Sequence, residues 1–338
     1  MPASQSSPLA AGGKLPLRIA LGNYGHTAAL KNGSIPIEGM AADFVEVGNV
    51  ISAFRRMVRD LEFDACEMAP TTYFIARAGG APFIALPTFI MRRFHHGFIA
   101  CRADAGIAGP KDLEGRRVGV RAYTVTTGVW MRGILASEYG VDLSKVTWVV
   151  DDEEHVTTLR LPSNVQRAPD GKSLAGMMAA GELDAAFTGP AGIGRAGPPV
   201  SSWEQGAAVR PTTYPPLFPD AAERDAAWFR KTRIYPIHGL VVIKESVLAD
   251  NPWLAQALYA GFVEAKRRYV ERLHAGVGDG ADDRHYRELS RVVGDPLPYG
   301  IAENRPAIDA LIDYTVEQGL MPARLPIGRL FVDPTMKP

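Results

Sequence analysis

Cysteine is scarce in this chain of 338 residues, and the two kinds of charge balance. Only Cys66 and Cys101 occur, with no CxxC pair and no Cys/His cluster, so neither a disulfide framework nor a structural zinc finger is expected. Lys+Arg and Asp+Glu both number 37, and the formal net charge is zero. A general nucleic-acid binder needs a basic excess to displace counterions from phosphates, so no nucleic-acid partner is expected.

Long apolar runs and targeting signals are also missing. No uninterrupted apolar stretch approaches the ~18 residues of a transmembrane helix, so we expect no membrane partner. The N-terminus has neither the basic region nor the apolar core of a secretory signal. We therefore expect residues 1–14 to be a flexible tail and the protein to be cytoplasmic. Neither a GxGxxG loop nor a Walker-type loop occurs, and no organic cofactor is expected.

The residues that are present predict an α/β protein of about two domains. Hydrophobic residues make up 46% and charged residues 22% of the chain, which is typical of globular proteins. Short apolar runs alternate with helical patterns, which favours βαβ units. A helix is predicted from Thr124–Thr127 to about Tyr139, where Gly140 stops it. Asp250-Asn251-Pro252 predicts the start of another helix, and the Gly- and Pro-dense segment 189–219 predicts a long loop.

Several motifs in the chain are similar to those of known families. Pro110–Val120 and Leu174–Phe187 resemble the opening and return segments of the second lobe in type II periplasmic-binding-protein-like domains. Five more specific motifs resemble the 4,5-dihydroxyphthalate decarboxylase family over about residues 15–331. They are Leu21–Tyr24 with His26, Thr27, Gly33 and Ile37–Gly39, then Glu62–Met68, Met91–His96, Trp130–Leu135 and Pro298–Ile301.

The resemblance implies a fold and an activity. The fold would be α/β with two lobes of the type II periplasmic-binding-protein-like kind, joined by two crossover strands, with the ligand in the cleft between the lobes. Lobe one would comprise residues 15–101 and 238–331, and lobe two residues 102–237. The activity would be non-oxidative decarboxylation of a small dihydroxylated aromatic dicarboxylate such as 4,5-dihydroxyphthalate, giving a protocatechuate-type product.

Such a site needs a cation for the retained carboxylate and groups that handle protons. His26 follows the first predicted strand, where open α/β sheets bind ligands, and we expect His26 or His96 to deliver the proton, with Glu67 orienting the donor; a surface loop is the alternative for His26. Glu67 ends a predicted strand and would act as a general base or metal ligand, or else cap the next helix. His238 lies at the second crossover. If residues 94–98 are extended, His95 and His96 point to opposite faces, and we favour His96 as catalytic.

The predicted substrate contacts are cations, hydroxyls and a helix N-terminus. Arg93 suits a carboxylate through its planar fork. Thr126 and Thr127 begin a helix, where free N–H groups bind anions, although plain N-capping is the alternative. The remaining predicted contacts are Tyr24, Thr71, Arg121 and Tyr123. His155, His274 and His285 lie in charged contexts and are expected to be solvated.

Three questions stay open at this stage. A divalent metal is compatible with His26, Glu67 and His238 as ligands, although they have no motif spacing. The fold alone would equally suit a solute-binding protein that delivers a carboxylated ligand to an ABC-type transporter, and a third alternative is a lyase resembling chorismate dehydratase. Exposed C-terminal helices would allow two chains to pair as a homo-oligomer.

Overall fold

The computed structural model describes residues 13–194 and 214–334. The predicted N-terminal tail therefore falls almost wholly outside the described residues. So does most of the predicted loop at 189–219, whose described part begins with a 3₁₀ turn at Gly189–Ala191. None of the described helices is both long and apolar enough to cross a membrane.

The strands form two separate five-stranded sheets, as expected for a two-lobe fold. The first sheet has the order β2-β1-β3-β10-β4 and the second the order β5-β9-β6-β7-β8. The strands are β1 (Leu15–Ala20), β2 (Met40–Val45), β3 (Ala65–Met68), β4 (Phe83–Arg92), β5 (Ile99–Cys101), β6 (Arg117–Gly119), β7 (Thr147–Val150), β8 (Val165–Arg167), β9 (Ala185–Phe187) and β10 (Ile237–Lys244). The chain thus leaves the first sheet after β4 and returns to it at β10.

Strand direction brings the ends of several strands to the face between the two sheets. In the first sheet β1, β2 and β3 run parallel, whereas β10 runs antiparallel to β3 and β4. In the second sheet β6 is parallel to β7 and β9. Because parallel strands end at the same edge of a sheet, the loops that follow them collect there.

Helices cover the sheets and fill the last third of the chain. They are α1 (Ala28–Lys31), α2 (Val50–Asp60), α3 (Pro70–Ala78), α4 (Thr126–Tyr139), α5 (Leu174–Ala179), α6 (Ala221–Thr232), α7 (Glu245–Asp250), α8 (Leu254–His274), α9 (Ala281–Val293), α10 (Ile301–Glu317) and α11 (Ile327–Leu330). The predicted helix at Thr126–Tyr139 is confirmed, and Gly140 ends it in the left-handed conformation with φ 65°. Only glycine adopts that conformation without steric cost.

The predicted helix start at Asp250 is wrong. Asp250 is the last residue of α7, and α8 begins four residues later at Leu254. The side-chain amide of Asn251 donates to the carbonyl of Val247 (3.0 Å). It therefore closes the end of α7 and does not cap α8.

One apolar core joins the two lobes. Phe74 from α3, Trp130 from α4 and Phe331 near the C-terminus are all buried in the same cluster. The Trp130 indole N–H also donates to the carbonyl of Ile237 (2.8 Å), where β10 begins. The start of β10 is thereby held against α4 of the second lobe.

Candidate active site

A cleft of about 210 Å³ lies between the two sheets and takes its walls from both lobes. The first lobe contributes α2, β3, α3, β4 and β10, and the second contributes the residues before and within α4. The polar and charged residues that line it are Asn49, Glu67, Thr72, Arg93, Arg121, Thr124, Thr126, Thr127, His155 and His238. Glu67, Arg93, Arg121, Thr126, Thr127 and His238 are six of the eleven residues that the sequence singled out.

Glu67 is a buried carboxyl group in the middle of this wall. It lies on β3 next to the end of β1, and two donors from the following loop reach it: the Gly22 N–H donates to Oε2 (2.9 Å) and the Tyr24 hydroxyl to Oε1 (2.7 Å). Burial raises the pKa of Glu67 to about 7, and the two hydrogen bonds oppose this rise without cancelling it. A carboxyl group with a pKa near the working pH can deliver or accept a proton.

Glu67 should make the stability of the protein depend on pH. Its pKa is raised in the folded protein, so its contribution is fully present below about pH 4.5 and is lost as pH rises through about 7. At 1.36 kcal/mol per pKa unit the loss is about 3 kcal/mol. We expect Glu67→Gln to unfold at the same urea concentration as wild type at pH 4.5, and to be more stable by up to that amount at pH 8. If the difference in free energy of unfolding between Glu67→Gln and wild type stayed constant from pH 4.5 to pH 8, the raised pKa of Glu67 would be contradicted.

Arg93 contributes a cation to the cleft. It follows β4, its Nη2 donates to the Met91 sulfur (2.9 Å), and its guanidinium lies 5.6 Å from the centre of the Phe98 ring. Within residues 13–194 and 214–334, no carboxylate forms an ion pair with it. Burial lowers its pKa, although an arginine stays charged at neutral pH. A thioether is a weak acceptor, so most of the donors of the guanidinium remain available to a ligand in the cleft.

His238 faces the cleft because the register of β10 shifts at this point. Ile237 pairs with Arg92 and Gly239 with Met91, which leaves His238 unmatched in β4; such irregularities re-aim side chains near active sites. A Cβ at Gly239 would lie 3.0 Å from the Met91 Cβ and 3.4 Å from the Glu67 Oε1. The glycine therefore lets β10 pass close to the Glu67 carboxyl group.

The N-terminus of α4 forms the facing wall. Thr126 and Thr127 are the first two residues of this helix, whose opening N–H groups have no partner within the helix. The Thr71 hydroxyl donates to the Thr124 carbonyl (2.7 Å) and lies 2.7 Å from the Thr126 hydroxyl. Thr71 does not line the cleft; it connects α3 of the first lobe to the helix start of the second.

The prediction that His155 is solvated is wrong. It is buried, its Nδ1 lies 3.3 Å from the Thr72 hydroxyl, and its Nε2 has no hydrogen-bond partner among the described residues. Arg55 and Arg59 of α2 reach across to Asp152 and Glu153 and cover this charged loop. Burial, reinforced by the neighbouring arginines, holds the pKa of His155 well below its usual range. The exposed positions of His274 and His285 agree with the prediction.

Arg121 takes part in the same cluster of charges. Its Nη1 donates to the Asp152 carboxylate (3.0 Å), so Arg121 lines the cleft as one half of a buried ion pair. Removing one partner of such a pair leaves an uncompensated buried charge. Its contribution is a positive potential on the wall beside His155.

The other predicted residues lie outside the cleft lining. His26 is buried among Tyr24, Tyr269 and Tyr286, and burial lowers its pKa to about 4. Tyr24 touches the site only through its hydrogen bond to Glu67. The buried ring of Tyr123 packs over the guanidinium of Arg132, 3.8 Å from the ring centre. These placements favour Glu67 over His26 as the group that handles the proton.

The basic segment 92–96 does not continue as a strand. His96–Phe98 form a 3₁₀ turn before β5, so the extended conformation on which the choice between His95 and His96 depended is not present. His96 turns away from the cleft: it is enclosed by Tyr139, Phe218 and Trp228, and its Nδ1 lies 2.5 Å from the Asp225 carboxylate. His95, which the sequence did not favour, lies behind His238.

The structure does not bring His26, Glu67 and His238, the candidate metal ligands, together in one site. Within the described residues, no group of three or more His, Cys, Asp and Glu side chains could hold a metal ion. Glu67 and His238 share the cleft wall, whereas His26 lies in its aromatic cluster.

Comparison with known proteins identifies the family. Residues 38–161 match the family model described as NMT1/THI5 like. A 4,5-dihydroxyphthalate decarboxylase of Comamonas testosteroni is 31% identical over 94% of this chain and 96% of its own length. The chain belongs to the 4,5-dihydroxyphthalate decarboxylase family. A second 4,5-dihydroxyphthalate decarboxylase, from Pseudomonas putida, is 38% identical over 51% of this chain and 69% of its own length. The chain is therefore a decarboxylase.

Solved structures confirm the fold. The periplasmic aliphatic sulphonate-binding protein SsuA of Escherichia coli superposes with a TM-score of 0.51 over 98% of this chain and 94% of its own, at 13% identity. The desulfurization enzyme DSZB superposes with a TM-score of 0.50 over 94% of both chains, also at 13% identity. At such identities the likeness establishes the two-lobe periplasmic-binding-protein-like fold and nothing about the ligand.

Proposed function

We propose that this enzyme decarboxylates 4,5-dihydroxyphthalate to protocatechuate without oxidation. The observation that carries the proposal is the pairing, in one cleft, of an arginine free to take a carboxylate with a buried carboxyl group of near-neutral pKa. The substrate named for both relatives has the two carboxylates and the electron-rich ring that such a pair would serve.

The chemistry of the ring defines what the site must do. Each carboxylate of 4,5-dihydroxyphthalate lies para to a hydroxyl group. Removing the proton of that hydroxyl pushes electron density onto the carboxylated carbon, which then accepts a proton. The carbon–carboxylate bond breaks, its electron pair restores the aromatic ring, and carbon dioxide leaves. With that hydroxyl ionised in both substrate and product, the net change is one proton taken up by the ring carbon, and no oxidant or reductant is needed.

The residues of the cleft can be assigned to these steps. Arg93 would hold the retained carboxylate through two parallel hydrogen bonds, with His238 as its neighbour. Glu67, protonated in part of the molecules at neutral pH, would give its proton to the ring carbon. On the facing wall, neutral His155 would donate a hydrogen bond to the ionised ring oxygen from its Nε2, which has no partner among the described residues. The α4 N-terminus and Arg121 would stabilise the oxygen that becomes negative.

A comparison of substrates tests the proposal. Purified enzyme is incubated with 4,5-dihydroxyphthalate or with phthalate, and carbon dioxide and the aromatic product are followed. We expect release of carbon dioxide from the dihydroxylated compound only, because phthalate has no hydroxyl group to supply electron density. Equal turnover of phthalate would contradict the proposed role of the hydroxyls. Tight binding of 4,5-dihydroxyphthalate without release would contradict the substrate.

The same assay decides the metal question. Parallel reactions contain a chelator, with and without an excess of a divalent metal ion. Loss of turnover that the metal restores would establish a metal-dependent reaction. Turnover unchanged after exhaustive chelation would establish that no metal removable by the chelator takes part, as the assignment to Glu67, Arg93 and the cleft histidines requires.

A further inference from the structure

Behind the cleft wall lies an imidazole that the proposed mechanism does not use. His95 is fully buried, and among the described residues neither of its ring nitrogens has a hydrogen-bond partner. Its ring stacks on Trp130 with ring centres 6.2 Å apart and packs against Phe98 at 5.7 Å. A buried polar atom without a partner is costly, so an apolar ring would fill this space at lower cost.

The neighbour of His95 on the cleft side is His238. Their ring centres lie 5.5 Å apart with an angle of 41° between the planes. The Nδ1 of His238 is also buried and has no partner in the described part of the chain. Two imidazoles joined by a linear N–H···N bond of about 2.9 Å have centres roughly 5.2 Å apart. The two rings are therefore at bonding separation, and rotation about χ2, a soft torsion, aligns them.

Both rings are neutral, which determines what each can donate. Burial lowers the pKa of His95 and His238 well below the usual range, and Arg93 lowers both further. A neutral imidazole has one N–H donor and one acceptor nitrogen. If His95 donates to the Nδ1 of His238, the only proton of His238 must sit on Nε2. His238 then becomes a hydrogen-bond donor.

We propose that His95 is a positioning residue that donates to the Nδ1 of His238, fixes its proton on Nε2, and so makes His238 a donor to the substrate carboxylate held at Arg93. The inference rests on the proposed function, which puts a carboxylate there. His95 touches no substrate in this account; it acts through the tautomer of His238.

The first test is spectroscopic and needs no substrate. The enzyme is labelled with ¹⁵N at its seven histidines, and the His238 ring signals are assigned by their loss in His238→Phe. We expect the Nε2–H tautomer in wild type and a mixture of tautomers in His95→Phe. An Nδ1–H tautomer in wild type, or the same spectrum for His238 in both proteins, would overturn the proposal.

The second test separates positioning from packing. A lost hydrogen bond to a retained carboxylate weakens ground state and transition state equally, so we expect His95→Phe to raise KM about tenfold with kcat nearly unchanged. His95→Gln, whose amide keeps a donor, should restore most of the affinity. Thr88→Val is the matched control: it removes another fully buried hydrogen-bonding group that lacks a partner among the described residues, on β4, and should leave KM unchanged.

The possible failures are distinguishable. Equal losses in His95→Phe and His95→Gln, accompanied by a lower Tm, would make His95 a packing residue and overturn the inference alone. If wild-type enzyme does not act on 4,5-dihydroxyphthalate, the proposed function fails. The ¹⁵N spectra would still decide whether His95 sets the tautomer of His238.

Discussion

Glu67→Gln should reduce kcat by about 100- to 10,000-fold, the range expected for loss of a general acid. The change removes the proton and keeps the shape of the side chain. The amide oxygen can accept from the Gly22 N–H, and the amide nitrogen can donate to the Tyr24 hydroxyl, so both contacts of the carboxyl group keep a counterpart. Single-turnover measurements of carbon dioxide release give the rate of the chemical step directly.

The pH dependence of wild-type enzyme provides the control for this variant. Because Glu67 must be protonated to supply a proton, kcat should fall as pH rises through about 7. The residual activity of Glu67→Gln should not fall as pH rises through about 7. Titration calorimetry should still show that the variant binds 4,5-dihydroxyphthalate. Turnover within tenfold of wild type, or an unchanged alkaline limb in the variant, would remove Glu67 from the mechanism.

Arg93→Met should weaken substrate binding by roughly 100- to 1,000-fold, because two hydrogen bonds to a charged group are lost. Methionine keeps the apolar stem of the side chain beside Met91 and Phe98. It leaves no buried carboxylate unpaired, since no acidic partner of Arg93 lies within the described residues. The measurement is titration of 4,5-dihydroxyphthalate into Glu67→Gln with and without the second change, so that turnover does not interfere.

Two further variants control for charge and for folding. Arg93→Lys keeps the charge but not the planar fork and should fall between wild type and Arg93→Met. Arg305→Met removes an arginine from the surface of α10, where it pairs with Asp309, and should leave binding unchanged. Affinity of the Arg93→Met enzyme within a few-fold of its parent would place the carboxylate elsewhere, with the α4 N-terminus as the next site to test.

Local sequence patterns predicted the site residues that lie at the ends of strands or at the start of a helix. Glu67 lies next to the end of β3, Thr126 and Thr127 begin α4, and His238 is the second residue of β10. Local patterns were therefore enough to predict their place in the cleft. The residues that local patterns missed depend on contacts between distant segments. His155 is buried because Arg55 and Arg59, about a hundred positions earlier in the chain, cover its loop.

The histidines illustrate the same limit. His26 follows a strand as predicted, but Tyr269 and Tyr286 of the C-terminal helices enclose it, and nothing near His26 in the sequence indicates them. Which of His95 and His96 lies toward the cleft depends on the backbone conformation after β4, which the sequence pattern did not predict. A 3₁₀ turn there sends His96 toward Asp225 and leaves His95 beside His238.

The central claim is that this chain removes one carboxylate from 4,5-dihydroxyphthalate and protonates the carbon that carried it. The direct measurement is turnover of 4,5-dihydroxyphthalate by the purified enzyme in D₂O, with the product examined by NMR and mass spectrometry. We expect carbon dioxide and protocatechuate in equal amounts, with a single deuterium on the ring carbon next to the one that keeps its carboxylate. Product without deuterium at that carbon, or substrate recovered unchanged from a saturated enzyme, would contradict the account.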